Sequence, residues 1–183
     1  MEKTQFKKYL ELKTSSIQGK GVFAAKNFKK GEKICIMEGK AVTIPKLKIM
    51  YPKKKTKILD PLQISNTNYL LLKKPYIYIN HSCAPNSTII KRNKLVAIKN
   101  IKIGEEITYD YSLTILENNK KNIEAWGSQY PESKMKCNCS SKICRKIIGD
   151  FTELPKAVKD KYVKNKLMQD FIIKYHQKIK NER

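Results

Sequence analysis

Nowhere does this chain keep an apolar run approaching the ~20 residues that a membrane-spanning helix needs, so no membrane span is expected. Its start, Met1-Glu2-Lys3-Thr4-Gln5-Phe6, lacks the charged-then-apolar layout of a secretory signal, and an intracellular protein is expected. Acidic residues are in short supply: 16 Asp and Glu face 39 Lys and Arg, a formal charge of +23. So basic a surface attracts polyanions, nucleic acid first. The lysines, however, are spread along the whole chain among many Asn and Ile, as in chains with a general bias toward those residues, so charge alone names no partner. Internal repeats and low-complexity linkers are also missing. Five cysteines do not make a simple disulfide framework, and in a reducing compartment close-set cysteines read better as metal ligands than as bridges.

What remains is one ordinary domain: 183 residues, 40% hydrophobic, enough for a real core. The first 115 residues read as many short strands separated by turns. Two glycines turn Ser15 to Gly21 into an apolar segment, and Lys33 to Met37 is a run of strand length. Pro45 and Pro52 keep helices short in the basic stretch 44–57. Leu62–Ile64 and Tyr69–Leu72 are expected to pair across a polar turn, and Tyr76–Ile79 is β-branched and aromatic. Thr88–Ile90 and Leu95–Ile98 flank a hairpin turn, and Ile107–Tyr111 completes the series. Residues 117–136, with Trp126, read as a loop or short helix. Val158, Tyr162, Leu167, Phe171 and Ile172 recur at roughly helical spacing, predicting a C-terminal helix over 155–181 packed on the β body.

Cys137-Asn138-Cys139 and Cys144 make C-x-C-x4-C. Two cysteines one residue apart do not easily bridge each other, but their thiolates can converge on one ion where the backbone turns, as Asn138, Ser140 and Ser141 favour. A structural zinc takes four ligands. The fourth must come from elsewhere: Cys35 lies in an apolar strand, where a buried inert thiol is the ordinary outcome, whereas Cys83 lies in a polar, turn-forming stretch and is the better candidate.

Three motifs then fall in order: Gly19-Lys20-Gly21-Val22-Phe23, Asn80-His81-Ser82-Cys83-Ala84-Pro85-Asn86 and Gly104-Glu105-Glu106-Ile107-Thr108-Tyr109-Asp110-Tyr111. Together they resemble the successive signatures of the SET domain of protein-lysine methyltransferases, and Cys137–Cys144 is similar to the post-SET zinc segment that follows it in many members. The resemblance covers roughly residues 10–150. It implies a mainly β fold of small curled sheets with a pseudoknot between the Asn80–Cys83 segment and the chain near Tyr111, followed by the zinc segment and a C-terminal helix. The divisions expected are a SET domain over 10–115, a linker over 116–136, the zinc segment over 137–150 and a helical extension over 151–183.

The resemblance further implies transfer of a methyl group from S-adenosylmethionine to a protein lysine, with histones or histone-like proteins as the expected substrate. Gln18, Lys20 and Gly21 fall where the family's loop approaches the cofactor; Asn80, His81 and Asn138 match further cofactor contacts. Tyr111 matches the active-site tyrosine, which also borders the cofactor. Tyr109 matches a position where tyrosine goes with monomethylation. Cys83, Cys137, Cys139 and Cys144 match the zinc ligands. Met37, Ile77 and the neighbourhood of Asp60 depart from the family's pattern at secondary contacts. An alternative reading is a non-catalytic basic chromatin- or DNA-binding SET protein; a zinc-ribbon adaptor would leave the two upstream motifs unexplained. A +23 enzyme repels a basic substrate unless Glu105, Glu106, Asp110 or bound DNA mediates the approach. The expected compartment is nucleus and chromatin in a eukaryote, otherwise cytoplasm, or a host cell for a parasite or virus.

Overall fold

The computed structural model describes residues 8–50, 61–116 and 134–182. Met1 to Phe6, Pro52 to Lys57, Asp60 and most of the expected linker, with Trp126, lie outside the described residues.

Among the described residues, ten short strands form four small sheets, none closed into a barrel. β1 (Leu10–Thr14) and β2 (Lys20–Ala24) are an antiparallel ribbon with Leu10 opposite Ala24 and Thr14 opposite Lys20. β3 (Lys33–Ile36) and β4 (Gly39–Thr43) enter different sheets. β5 (Pro61–Gln63) and β6 (Asn68–Leu72) complete the order β4-β6-β5, while β7 (Ser87–Ile90) and β8 (Lys94–Ala97) complete β3-β8-β7. β9 (Met135–Lys136) and β10 (Ile147–Ile148) pair beside the cysteine segment. The expected hairpin turns at Lys91 and Arg92, both with positive φ. All three larger sheets drain apolar side chains into one core, including Val22, Ile34, Leu70, Ile89, Leu95 and Ile107. α1 (Ile44–Met50) is short, with Pro45 in its first turn, and buries Ile44 and Leu47 against Val42 and Tyr69.

Three segments depart from the sequence expectation. Tyr76–Tyr78 is a single 3-10 turn, closed by the Ile79 N–H on the Tyr76 carbonyl at 3.2 Å; its aromatic composition serves burial of Tyr76 rather than a ladder. Of Ile107–Tyr111, the stretch up to Asp110 belongs to no strand, because its backbone changes partner along its length, and Tyr111 opens a 3-10 turn. The Ile107 N–H donates to Val22 O, Thr108 O accepts from Ser87 N–H, and the Tyr109 N–H donates to Asn80 O.

The C-terminal helix is two helices, α2 (Lys156–Lys164) and α3 (Asp170–Asn181). Between them Lys166 takes positive φ, Met168 is fully buried, and Gln169 turns its amide inward. That amide donates to Gln63 O at 3.0 Å and Arg92 O at 2.8 Å, and accepts the Arg92 N–H at 3.0 Å. Leu113, Leu116, Phe151, Tyr162 and Ile172 form the second core cluster that seats this arm on the β body.

Candidate functional site

The β1–β2 turn and Asn80 form one knot. Gly19 holds φ of +53°, letting the turn close with a bond from the Ser15 N–H to Gly19 O at 2.9 Å. The Asn80 side-chain amide donates to Lys20 O at 3.1 Å, Gln18 O at 3.4 Å and Glu106 Oε1 at 2.7 Å. The Glu106 carboxylate also accepts the Ser15 hydroxyl at 2.9 Å. A Cβ on Gly21 would lie 2.3 Å from Glu106 Oε1, so Gly21 admits no side chain while this carboxylate stays. Thus Gln18, Lys20, Gly21 and Asn80, which the sequence reading grouped, are gathered around Glu106, whose hub role it missed.

Asn80–Ser82 then runs parallel to Tyr109: the Tyr109 N–H donates to Asn80 O at 3.2 Å and the Ser82 N–H to Tyr109 O at 3.1 Å. This is the side-by-side packing that the expected pseudoknot requires. The Tyr111 hydroxyl donates to Ile79 O at 2.8 Å, and the Tyr109 and Tyr111 rings lie 4.8 Å apart, tilted by 40°. A hydroxyl that gives its proton to a carbonyl presents lone pairs to whatever approaches it.

His81 is buried, with both ring nitrogens committed to protein. Nδ1 accepts the Tyr111 N–H at 3.1 Å, which leaves the proton on Nε2, 3.3 Å from Cys83 Sγ. Burial pulls the imidazole pKa down to about 4, with the Arg145 charge adding to it and Asp110 opposing. The ring is therefore neutral at neutral pH and its proton points at sulfur.

That sulfur opens the thiol cluster. His81, Cys83, Cys137 and Cys139 place one ligand atom each within 4.8 Å of one another. Cys83 and Cys137 sulfurs are 3.8 Å apart, and the Cys144 sulfur lies 4.0 Å from the Cys137 carbonyl oxygen. Cys144 thus joins from the rim, while Cys35, in β3, stays buried in the main core. Backbone N–H groups are turned onto the sulfurs: Cys83 onto Cys139 at 3.5 Å, Arg145 onto Cys83 at 3.3 Å, Lys146 onto Cys144 at 3.4 Å. Burial pushes the Cys83 and Cys137 thiols up; at Cys139 burial is outweighed by N–H and thiol donors, bringing it down to about 7. Convergent soft sulfurs served by N–H donors fit a tetrahedral thiolate-bound metal, zinc before others. Asn138 is exposed on this turn, next to Cys139, whose Sγ accepts the Cys83 N–H.

Two acidic residues expected to greet a basic substrate face inward instead. Asp110 is 1% exposed and carries an ion pair with Arg145 at 2.7 Å. Glu106 is spent on Ser15 and Asn80; Glu105 alone of the three is exposed. The sequence reading gave Arg145 no role, and a charge directly after the last cysteine of the C-x-C-x4-C run was the available signal.

The model of the family described as SET domain matches residues 19–112. The chain is 37% identical over 131 residues to the variant-silencing SET domain-containing protein of Plasmodium falciparum (isolate 3D7), covering 62% of this chain and 5% of that protein. It is 28% identical over 156 residues to human histone-lysine N-methyltransferase 2D, covering 79% of this chain and 3% of that protein. Against histone-lysine N-methyltransferase SUV39H1-A of Danio rerio it is 26% identical over 165 residues, with 74% and 40% covered. Each relative is thus much longer than the part this chain spans. Among solved structures, "Apo ctPRC2 in an autoinhibited state" matches with a TM-score of 0.54 at 23% identity, covering 65% of this chain and 17% of that one, a likeness of fold.

Proposed function

Because the chain belongs to the SET-domain family, its matched segment spanning just over half of it, we propose that it is a protein-lysine methyltransferase whose cofactor is S-adenosylmethionine. The observation that carries this reading is the joining of Asn80, with the 18–21 turn, to Tyr109 and Tyr111 through the parallel pairing at His81. Relatives named histone-lysine N-methyltransferases support it at the level of the family.

S-adenosylmethionine, when bound, would supply an electrophilic methyl to the lysine nitrogen, the C–S bond breaking with its electron pair left on sulfur as the N–C bond forms, and one amine proton leaving to solvent. In-line displacement of this kind is governed by positioning. The turn of Gln18, Lys20 and Gly21 and the Asn80 backbone and amide would hold the cofactor's polar ends, and Asn138 would close over it from the thiol turn. His81 would contribute through its backbone, since its imidazole is engaged by Tyr111 and Cys83; at a pKa pulled down to about 4 it also has little reach as a general base. The amine would instead lose its proton where exclusion of water and the cofactor's positive charge disfavour ammonium. Tyr111, its proton held by Ile79 O, orients the methyl and the amine through its lone pairs. Tyr109, 4.8 Å away, would add a second hydroxyl that holds an amine or water where a further methyl would swing, giving monomethylation.

Zinc in the site of Cys83, Cys137, Cys139 and Cys144 would be structural, tying the C-terminal segment to Cys83, three residues after Asn80. A histone or histone-like protein is the substrate proposed, in nucleus and chromatin if the source is a eukaryote; the +23 charge favours one presented with nucleic acid. The SET domain over 10–115, linker, zinc segment over 137–150 and helical extension over 151–183 remain our proposed divisions.

Radiolabel transfer from S-adenosylmethionine to a panel of basic proteins tests the reading. We expect label on a lysine with wild type and a fall in kcat of about 100-fold with Tyr111→Phe. Mass spectrometry should show one methyl per lysine from wild type and further methyls from Tyr109→Phe. Equal transfer by wild type and Tyr111→Phe contradicts the proposal.

A further inference from the structure

Asp110 is a buried carboxylate directly preceding Tyr111, and it does two things at once. Its Oδ1 accepts the Ser112 N–H at 3.1 Å, capping the 3-10 turn Tyr111–Leu113 that carries the active-site tyrosine. The same oxygen takes the Arg145 guanidinium at 2.7 Å, and the guanidinium also reaches the Ser112 hydroxyl at 3.3 Å. A buried carboxylate without a counter-ion is strongly unfavourable, and here the counter-ion arrives on a different segment, 35 residues away. Arg145 directly follows Cys144, and its own backbone N–H donates to Cys83 Sγ at 3.3 Å. One residue therefore touches the Cys83 sulfur with its backbone and the tyrosine turn with its side chain.

We propose that Arg145 is a positioning residue that couples metal binding at the cysteine cluster to the placement of Tyr111, through its buried ion pair with Asp110. The link rests on the methyltransferase reading for its consequence and on the ion-pair geometry for its existence. When the cysteine segment closes on its metal, Asp110 gains its counter-ion and the Tyr111 turn is held; when the segment opens, the carboxylate is left unpaired and the turn loosens. The coupling is reciprocal, so Asp110, which ligates nothing, must contribute to metal affinity.

The test measures zinc affinity by competition with a chromophoric chelator for wild type, Asp110→Asn, Arg145→Met and the double variant. Asp110→Asn keeps the capping oxygen and the side-chain shape, which protects folding, and circular dichroism confirms it. Asp110→Asn is expected to weaken zinc binding about 10-fold, the scale on which groups behind metal ligands act. The double variant is expected to bind no more weakly than the weaker single. Unchanged affinity in Asp110→Asn, additive losses in the double, or no zinc binding by wild type overturns the proposal. Per mole of zinc-loaded protein, kcat of Asp110→Asn should fall roughly 100-fold with KM for S-adenosylmethionine little changed, and Arg145→Lys should recover part of the loss shown by Arg145→Met. A purely structural pair would lower yield and leave kcat of the loaded protein intact, which also overturns it. If zinc affinity shifts as expected but wild type transfers no methyl, the link stands and the methyltransferase reading falls.

Discussion

The site and the C-terminal arm are built on opposite principles. Around Asn80 and Tyr111 the chain is held by polar contacts between distant segments: Glu106 to Ser15, Asn80 to the 18–20 carbonyls, His81 to Cys83, Arg145 to Asp110. The arm from Phe151 to Ile172 is held by apolar burial, with Gln169 as its main polar anchor. Polar contacts are directional and lose their worth when displaced by an ångström, so the first region is poised to respond to a metal or a ligand. Apolar burial is non-directional, so the second lends stability without setting geometry.

That contrast is open to attack. The largest effect is expected from Cys144→Ser or a strong chelator, which should remove activity while far-UV circular dichroism keeps its β signal, because the main core draws nothing from the 137–148 segment. Turnover that survives metal removal would erase the distinction between the regions. Gln169→Ala should do the reverse. It strips partners from Gln63 O, Arg92 O and the Arg92 N–H, costing about 2 kcal/mol of stability in denaturant melts, with kcat per folded protein unchanged. A fall in kcat without loss of stability would show the arm setting the site's geometry after all.

The smallest effect concerns His176, whose Nδ1 is buried without a partner among the described residues and whose ring packs edge-on to Phe151. Burial lowers its pKa, reinforced by Lys159, Lys180 and Lys156 and opposed by Asp160. The folded state thus binds the proton less readily than the unfolded chain. The stability this gives is complete above the unfolded value of ~6.5 and is lost as pH falls through the lower folded value. On acidification below neutral, wild type should lose more melting temperature than His176→Gln; equal losses would refute this.

The two regions also differed in how far they could be read from sequence. Asn80, Cys83, Tyr109 and Tyr111 lie in contiguous motifs, and three cysteines lie within eight residues, so chemistry and spacing were visible together. The long-range partnerships were not: Glu106, although inside the 104–111 motif, meets Ser15 across 91 residues, and in the arm Gln169 meets Gln63 across 106, pairings that no local pattern marks. The break between α2 and α3 did leave a trace. Tyr162 and Leu167 are five apart, which slips the helical phase, and the chain turns there. Tyr76–Ile79 has strand composition and no strand, because aromatic and β-branched residues also suit a buried turn.

Calorimetric titration of S-adenosylmethionine into the zinc-loaded protein tests the central claim most directly, since it asks whether Asn80 and Tyr111 share one site in different roles. We predict that wild type and Tyr111→Phe bind with similar affinity, while Asn80→Ala, which unties the 18–21 turn, binds at least ~10-fold more weakly. Equal binding by Asn80→Ala, or no binding by wild type, would contradict the account.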